Sequence, residues 1–498
     1  MAKKLDIEPQ KVVGFAPDLD PSTPGIFQSC NNVIPTLIGF KGAASPVNGG
    51  LSTLAAPVLG SALIARLNGT DRQFAATASK IYENVSNVWV DQSRTAGYSL
   101  GTSSQWRFAA FGNESLAVNG TTPLQAALDG AFADVPNSPT GKVIFVANGQ
   151  VFVCNNSAPA AAATPDAWYC SGVYDHTQWD TTNLQSLSAY GRLLDTPGGI
   201  TAGACLGNNA ILFKSSAMYV GTQMGYPTNW GWQAITKNIG APCQEAVVST
   251  GNALYFVGTD DFYEYQLNGL PTPVGANVRR WFFNKLNPNY KDKMSSFYDQ
   301  EQRVIYWAFV SNDSQDGTID TCITYNWSTQ TWGRMDLRMQ GFVQILNGQI
   351  TYNGLGTLWN QWQNLPNVSY DSSYWIKFRV TPGFFDTTNT LMALAGTSTG
   401  ATITTNAFGD DLMYTSMQQF KMRFYLEPAS GSAVWQGRST LGTTDPTLIA
   451  NSNTGPFVAS DARFDIGQSA RWHNLILTFN GDFELMLWYP LLVSRGRN

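Results

Sequence analysis

Residues with the chemistry for catalysis or metal binding are few. Histidine occurs only at His176 and His473, which leaves little room for a histidine-based metal cluster. The string Gly396-Thr397-Ser398-Thr399-Gly400 has the spacing of a serine hydrolase elbow, and Asp461 or Asp465 and then His473 follow in the required order. An elbow needs a helix starting behind the serine, whereas Ala401-Thr402-Ile403-Thr404-Thr405 is β-branched and predicts a strand. Asn312-Asp313-Ser314-Gln315-Asp316-Gly317 resembles the start of a calcium loop, but Ile323 stands at the twelfth position, where Glu belongs. An Asx-rich hairpin turn is the simpler reading. Asp260-Asp261 and Asp410-Asp411 are of the residue type that glycosidases use as acid and base, yet both sit in turn sequences. No Walker loop and no GxGxxG opening a helix is present. No catalytic, cofactor-binding or metal-ligating set is therefore assigned, and the expectation is a protein that is not an enzyme and takes no cofactor.

One basic window remains: Arg279, Arg280, Trp281 and Lys285, continuing to Lys291 and Lys293. Cations interleaved with aromatics are what a single-strand nucleic-acid groove presents. The chain as a whole is acidic, with 35 acidic against 30 basic residues and a net charge of −5. That balance excludes an electrostatic duplex binder, which needs a basic surplus to displace counterions. A subunit interface, or the rim of a core helix, is the preferred reading, and a channel lining is the other.

The elements that must carry these residues are β-strands. Of 498 residues, 43% are hydrophobic and 13% aromatic, but only 13% are charged, about half the usual ~25%. Long surface helices need Glu, Lys and Arg, which are scarce here. Aromatic and Gly-rich composition predicts strands packed on both faces and many tight turns. The six cysteines show no CxxC pair and read as buried thiols, although Cys154 and Cys170 would bracket a loop if oxidised. The start MAKKLDIEPQ has no apolar core behind its lysines, so no secretory signal is expected. The uncharged stretch 42–65 is broken by Pro46, Gly49, Gly50 and Pro57, so no membrane span is expected.

Three regions follow. Residues 1–58 read as an extended arm, punctuated by prolines yet apolar at Phe15, Ile26, Phe27, Ile34, Leu37 and Phe40. Such a strap either wraps its own domain or docks on a neighbouring subunit, and docking is the sharper expectation. Residues 59–360 are short strands with turn signals about every ten residues. A phrase recurs: Gly207-Asn208 before Ala210–Phe213 and Ala217–Val220, then Gly251-Asn252 before Ala253–Val257 and Phe262–Tyr265. A two-strand phrase returning at this spacing predicts β-propeller blades. Residues 361–498 are again β-rich, as last blades or a separate tip, with strands expected at Tyr374–Val380, Gln418–Tyr425, Asn474–Phe479 and Phe483–Tyr489. The fold class is thus all-β: a β-propeller core with an extended N-terminal arm and a β-rich C-terminal region.

The order of these features resembles the tail nozzle proteins of short-tailed bacteriophages, also called packaged-DNA stabilisation or tail hub proteins. The resemblance spans most of residues 10–335. It is carried by Ala16-Pro17-Asp18, Ile34-Pro35-Thr36, Trp106-Arg107-Phe108 with Phe111-Gly112-Asn113, Ile239-Gly240-Ala241-Pro242, Tyr255–Tyr263, Val304–Trp307 and Trp332-Gly333. It implies a structural virion protein forming a homohexameric ring below the portal and adaptor, next to tail fibre or tip proteins. Such a ring would extend the DNA channel, retain packaged DNA, touch the passing duplex transiently and release it at ejection. The location implied is the virion tail, assembled in the host cytoplasm. The alternatives are a carbohydrate-binding or carbohydrate-cleaving propeller for host-receptor recognition, and a β-rich capsid decoration protein.

Overall fold

The computed structural model describes residues 4–6, 8–101, 103–156, 163–226, 228–345, 381–441 and 448–496. The expected strand at Tyr374–Val380 and most of the Ala-Pro tract after Ser157 lie outside the described residues. Short antiparallel strands joined by Gly and Asn turns dominate, as the composition requires. Six four-stranded sheets stand alone, and a seventh four-stranded unit opens an eleven-stranded sheet.

These seven units are propeller blades. Blade 1 comprises Gly60–Ala65, Asp71–Ala76, Ile81–Val85 and Val88–Asp91; blade 2, Arg107–Phe111, Glu114–Val118, Gln125–Ala127 and Ala133–Asp134. Blade 3 comprises Val143–Ala147, Gln150–Asn156, Thr164–Cys170 and Ala189–Arg192; blade 4, Ile200–Leu206, Asn209–Lys214, Met218–Gln223 and Trp230–Thr236. Blade 5 comprises Val247–Ser249, Leu254–Val257, Phe262–Tyr265 and Thr272–Pro273; blade 6, Met294–Asp299, Val304–Phe309, Ile319–Asn326 and Thr331–Met339. Blade 7 comprises Gly341–Gln344, Pro382–Phe385 and Leu391–Gly396, with Ser45–Asn48 of the N-terminal strap as its outer strand. The first strand of each blade packs beside the first strand of the next, and that of blade 7 packs beside that of blade 1. The recurring sequence phrase is the second and third strands of blades 4 and 5. The interblade layers are apolar, for example Phe145, Phe152, Trp168 and Trp230 between blades 3 and 4.

Beyond blade 6 the outer strand Thr331–Met339 continues, through Val33–Pro35 and Phe40–Gly42, into Glu484–Gly496, Tyr414–Leu426 and Arg463–Ala470. A second sheet runs Gly14–Phe15, Ile26–Asn31, Ala401–Thr405, Trp472–Asn480, Ser430–Arg438 and Leu448–Asn453. The two sheets share one core of Phe27, Phe40, Phe420, Trp435, Leu477 and Trp488, which makes this region a β-sandwich.

This corrects the domain boundaries. The strap is not a free docking arm: Phe15, Ile26, Phe27, Ile34 and Phe40 are buried in the chain's own core, and only Leu37 is exposed. Its segments are strands of the sandwich and the last strand of the propeller. The prolines misled because they exclude long strands but not the two- to six-residue strands used here. The strap also folds closely back on itself: a Cβ on Gly25, at φ +79°, would lie 2.1 Å from the Lys11 carbonyl oxygen. The third region also needs redrawing. Residues 382–396 belong to blade 7, and the C-terminal sandwich strands begin at Ala401.

Candidate functional site

Antiparallel order divides a propeller into two faces. Turns joining first to second and third to fourth strands open on one face; all other connections open on the opposite face. The basic window lies on the latter, between blades 5 and 6, where Arg279–Lys285 is the one α-helix among the described residues. The Asp18 carboxylate of the strap accepts from the backbone N–H groups of Arg280 (2.5 Å) and Trp281 (3.0 Å), satisfying donors that a helix start leaves open. Phe15 meets the Trp281 ring edge-on at 4.9 Å, and the Arg334 guanidinium lies over the same ring. The cations are largely spoken for. Arg279 pairs with Asp260, Lys285 with Asp313, and Lys293 donates to the Gly317 carbonyl at 2.7 Å. Arg280 and Lys291 are exposed and form no ion pair among the described residues. The window is therefore an internal seam that pins the strap to the propeller, with two cations left over.

The mouth of the central channel on this face is crossed by an ion pair. Arg107 opens the innermost strand of blade 2; Glu245 precedes that of blade 5, three places round the ring. Arg107 Nε and Nη2 donate to Glu245 Oε1 and Oε2 at 2.7 and 2.9 Å. Nη1 also donates to the Lys142 carbonyl, at the entry to blade 3. A bidentate guanidinium–carboxylate pair is geometrically specific, and this one ties opposite blades across the axis.

The strings that looked catalytic are structural. Ser398 is buried in a strand–loop–strand connection, its N–H donating to Asp482. His473 offers it no base, because Trp435 Nε1 donates to Nδ1 and Thr415 Oγ1 lies 2.9 Å from Nε2. Asp260 accepts from the Tyr263 hydroxyl, burial pushes the Asp261 carboxyl up, and Asp410 and Asp411 accept from Leu412 N–H and Trp472 Nε1. In the Asn312–Gly317 turn, Asp313 and Asp316 pair with Lys285 and Arg338. No group of three or more metal-ligating residues occurs among the described residues, and none of their helices is long and apolar enough to cross a membrane. All six thiols are free; burial pushes those of Cys30 and Cys170 up to about 12, so neither is poised to react.

Two features had no sequence signal. The first is on the turn face, where Leu67, Leu128, Tyr174, Met224, Tyr226 and Leu270, from blades 1 to 5, are between 51% and 84% exposed. The second is a cleft of about 370 Å³ between blades 3 and 4, lined by Trp168, Arg192, Leu194, Asp195, Tyr219 and Trp232. Its loop is held from below by Lys214, fully buried, whose Nζ donates to the carbonyls of Leu193 and Thr196 at 2.7 Å each. Burial pushes the Lys214 ammonium down.

No protein-family model and no curated protein sequence matches the chain. Among solved structures it is similar to a chain of the "Crystal Structure of Mitotic Checkpoint Complex", at 7% identity and a TM-score of 0.39, covering 71% of this chain and 94% of that one. It is similar to YCF48 from Cyanidioschyzon merolae, at 8% identity and a TM-score of 0.34, covering 59% and 88%. It is also similar to the extracellular domain of the putative hybrid two-component system BT4673 from B. thetaiotaomicron, at 8% and 0.40, covering 81% of this chain and 47% of that one. The roles of these proteins do not transfer at such identities. The class that this chain's own architecture defines is a β-propeller with an integral β-sandwich.

Proposed function

We propose that this protein is a non-catalytic assembly subunit, and specifically a tail nozzle protein of a short-tailed bacteriophage. It would act as one of six copies in a ring below the adaptor that retains packaged DNA and releases it at ejection. One observation carries the assembly reading: large apolar side chains stand exposed on one face of five consecutive blades. They stand at the loop tips of that face, and Tyr and Met are residue types enriched where subunits meet. The nozzle reading rests on the sequence resemblance of residues 10–335 and is supported by two further features. The strap is woven through both the propeller and the sandwich, which suits a part under mechanical load. The propeller's own axis is crossed by Arg107–Glu245, so DNA would run along the ring axis between subunits rather than through any one propeller. The basic seam, mostly neutralised, would make few phosphate contacts and let a duplex slide. Mass photometry of the protein mixed with its adaptor ring tests this: a sixfold assembly is expected, and a monomer under all mixing conditions would overturn it.

A second reading, recognition of carbohydrate on a host surface, is favoured by the aromatic cleft between blades 3 and 4.

A further inference from the structure

We propose that the cleft between blades 3 and 4 is a binding site for a short neutral saccharide. The inference deepens the carbohydrate reading by giving it a site. The floor is aromatic, with the partly exposed Trp232 ring facing the cleft and Trp168 buried behind it. Trp168 and Trp232 approach with ring centroids 5.2 Å apart, and each lies across a glycine on the neighbouring strand, Gly191 and Gly221 in register. A Cβ at Gly191 would come within 2.6 Å of the Trp168 ring, and one at Gly221 within 2.7 Å of the Trp232 ring. Only glycine lets these indoles lie down against the sheet and form a floor rather than stand up and fill the cleft.

The rim is polar and electrically balanced. Asp195, with its side chain half exposed, accepts from the Tyr219 hydroxyl at 2.6 Å and pairs with Lys237 at 3.3 Å. Arg192 donates through Nε and Nη2 to Asp166 at 3.0 and 2.9 Å, which leaves Nη1 without a protein partner among the described residues. Trp232 Nε1 also lacks a partner there, although it is buried. At the exposed rim two acids and two bases cancel, and the buried Lys214 ammonium beneath is already held by two backbone carbonyls, so a charged ligand gains little at the rim. A neutral ligand with apolar C–H faces and vicinal hydroxyls matches each part: the faces meet the Trp232 indole, and the hydroxyls meet the Asp195 carboxylate and the free guanidinium N–H. The volume of about 370 Å³ is at the small end of the ~300–1,000 Å³ range of ligand sites and has room for a short saccharide. Leu194, highly exposed, stands at the rim beside Asp195.

The test is titration calorimetry and saturation-transfer NMR of the whole protein against neutral mono- and disaccharides built from glucose, galactose, mannose and N-acetylglucosamine. Saturable binding of at least one sugar is expected, with quenching of tryptophan fluorescence. Asp195→Asn and Arg192→Gln should each weaken it about tenfold, the loss expected for a hydrogen bond to a charged group. Gly191→Ala, which pushes up Trp168, should abolish it; a thermal melt on each variant establishes that it is folded. Sugar binding that survives all three changes in folded variants overturns this site while leaving carbohydrate recognition standing. No saturable binding by any sugar overturns both and leaves the assembly reading untouched.

Discussion

Acidification should destabilise the sandwich through one residue. His473 is fully buried, and its ring accepts at Nδ1 from Trp435 Nε1 (2.9 Å). The proton is therefore on Nε2, which donates to Thr415 Oγ1 (2.9 Å). Protonation at Nδ1 would set two donors against each other inside an apolar core, and burial holds the imidazole down at about 4. The unfolded chain should titrate near the ordinary 6.5. Between those values the unfolded state binds one more proton than the folded state. The contribution is therefore fully present above pH 6.5, is lost progressively as pH falls to 4, and is flat below. A gap of about 2.5 pH units corresponds to about 3 kcal/mol. The assay is urea unfolding at pH 7 and pH 4.5 for the wild type and for His473→Gln, whose amide can accept from Trp435 and donate to Thr415. Carboxylates that titrate in the same window cancel in the comparison. The stability difference between the two proteins should shift by about 2–3 kcal/mol in favour of the variant on acidification. A difference independent of pH, or an imidazole NMR signal titrating near 6.5 in the folded protein, would show that the fold does not hold His473 neutral.

Deleting residues 2–50 should leave no cooperative unfolding transition, because it removes sandwich strands and the outer strand of blade 7; a soluble, cooperatively melting truncation would contradict the fold account. Arg107→Met should cost about 3 kcal/mol in denaturant unfolding, since Glu245 is left largely desolvated without its partner. Phe27→Ala should cost about 3–5 kcal/mol by the same assay, the range for a large ring lost from a packed core. Arg280→Gln should change stability by under about 0.5 kcal/mol, and gel shifts with duplex DNA should show micromolar or weaker binding for both wild type and variant.

The propeller was legible because blades 4 and 5 repeat a local phrase, an Asn-bearing turn followed by two apolar strands, and local phrases survive in sequence. The strap was not, because its meaning lies in distant partners. Ser45–Asn48 closes a blade whose other strands lie some 300 residues on, and nothing in Ser-Pro-Val-Asn announces that. The same limit hid Arg107–Glu245, a pair separated by 138 residues. The cleft stayed hidden because it depends on strand register: Trp168 and Trp232 become a floor only once Gly191 and Gly221 are placed opposite them. The serine string is followed by the strand Ala401–Thr405 rather than the helix an elbow needs, as its β-branched residues require. The basic window's cations and aromatics suggest an interface or a core-helix rim, and in the structure they form a seam within one chain.

The proposed nozzle role is tested most directly by electron microscopy of short-tailed phage particles assembled in the presence of a tagged form of this protein. A nozzle subunit should give a sixfold ring of tagged density at the tail vertex, with the DNA axis running between propellers. Tagged density in scattered or trimeric spikes, or none at the tail, would contradict it.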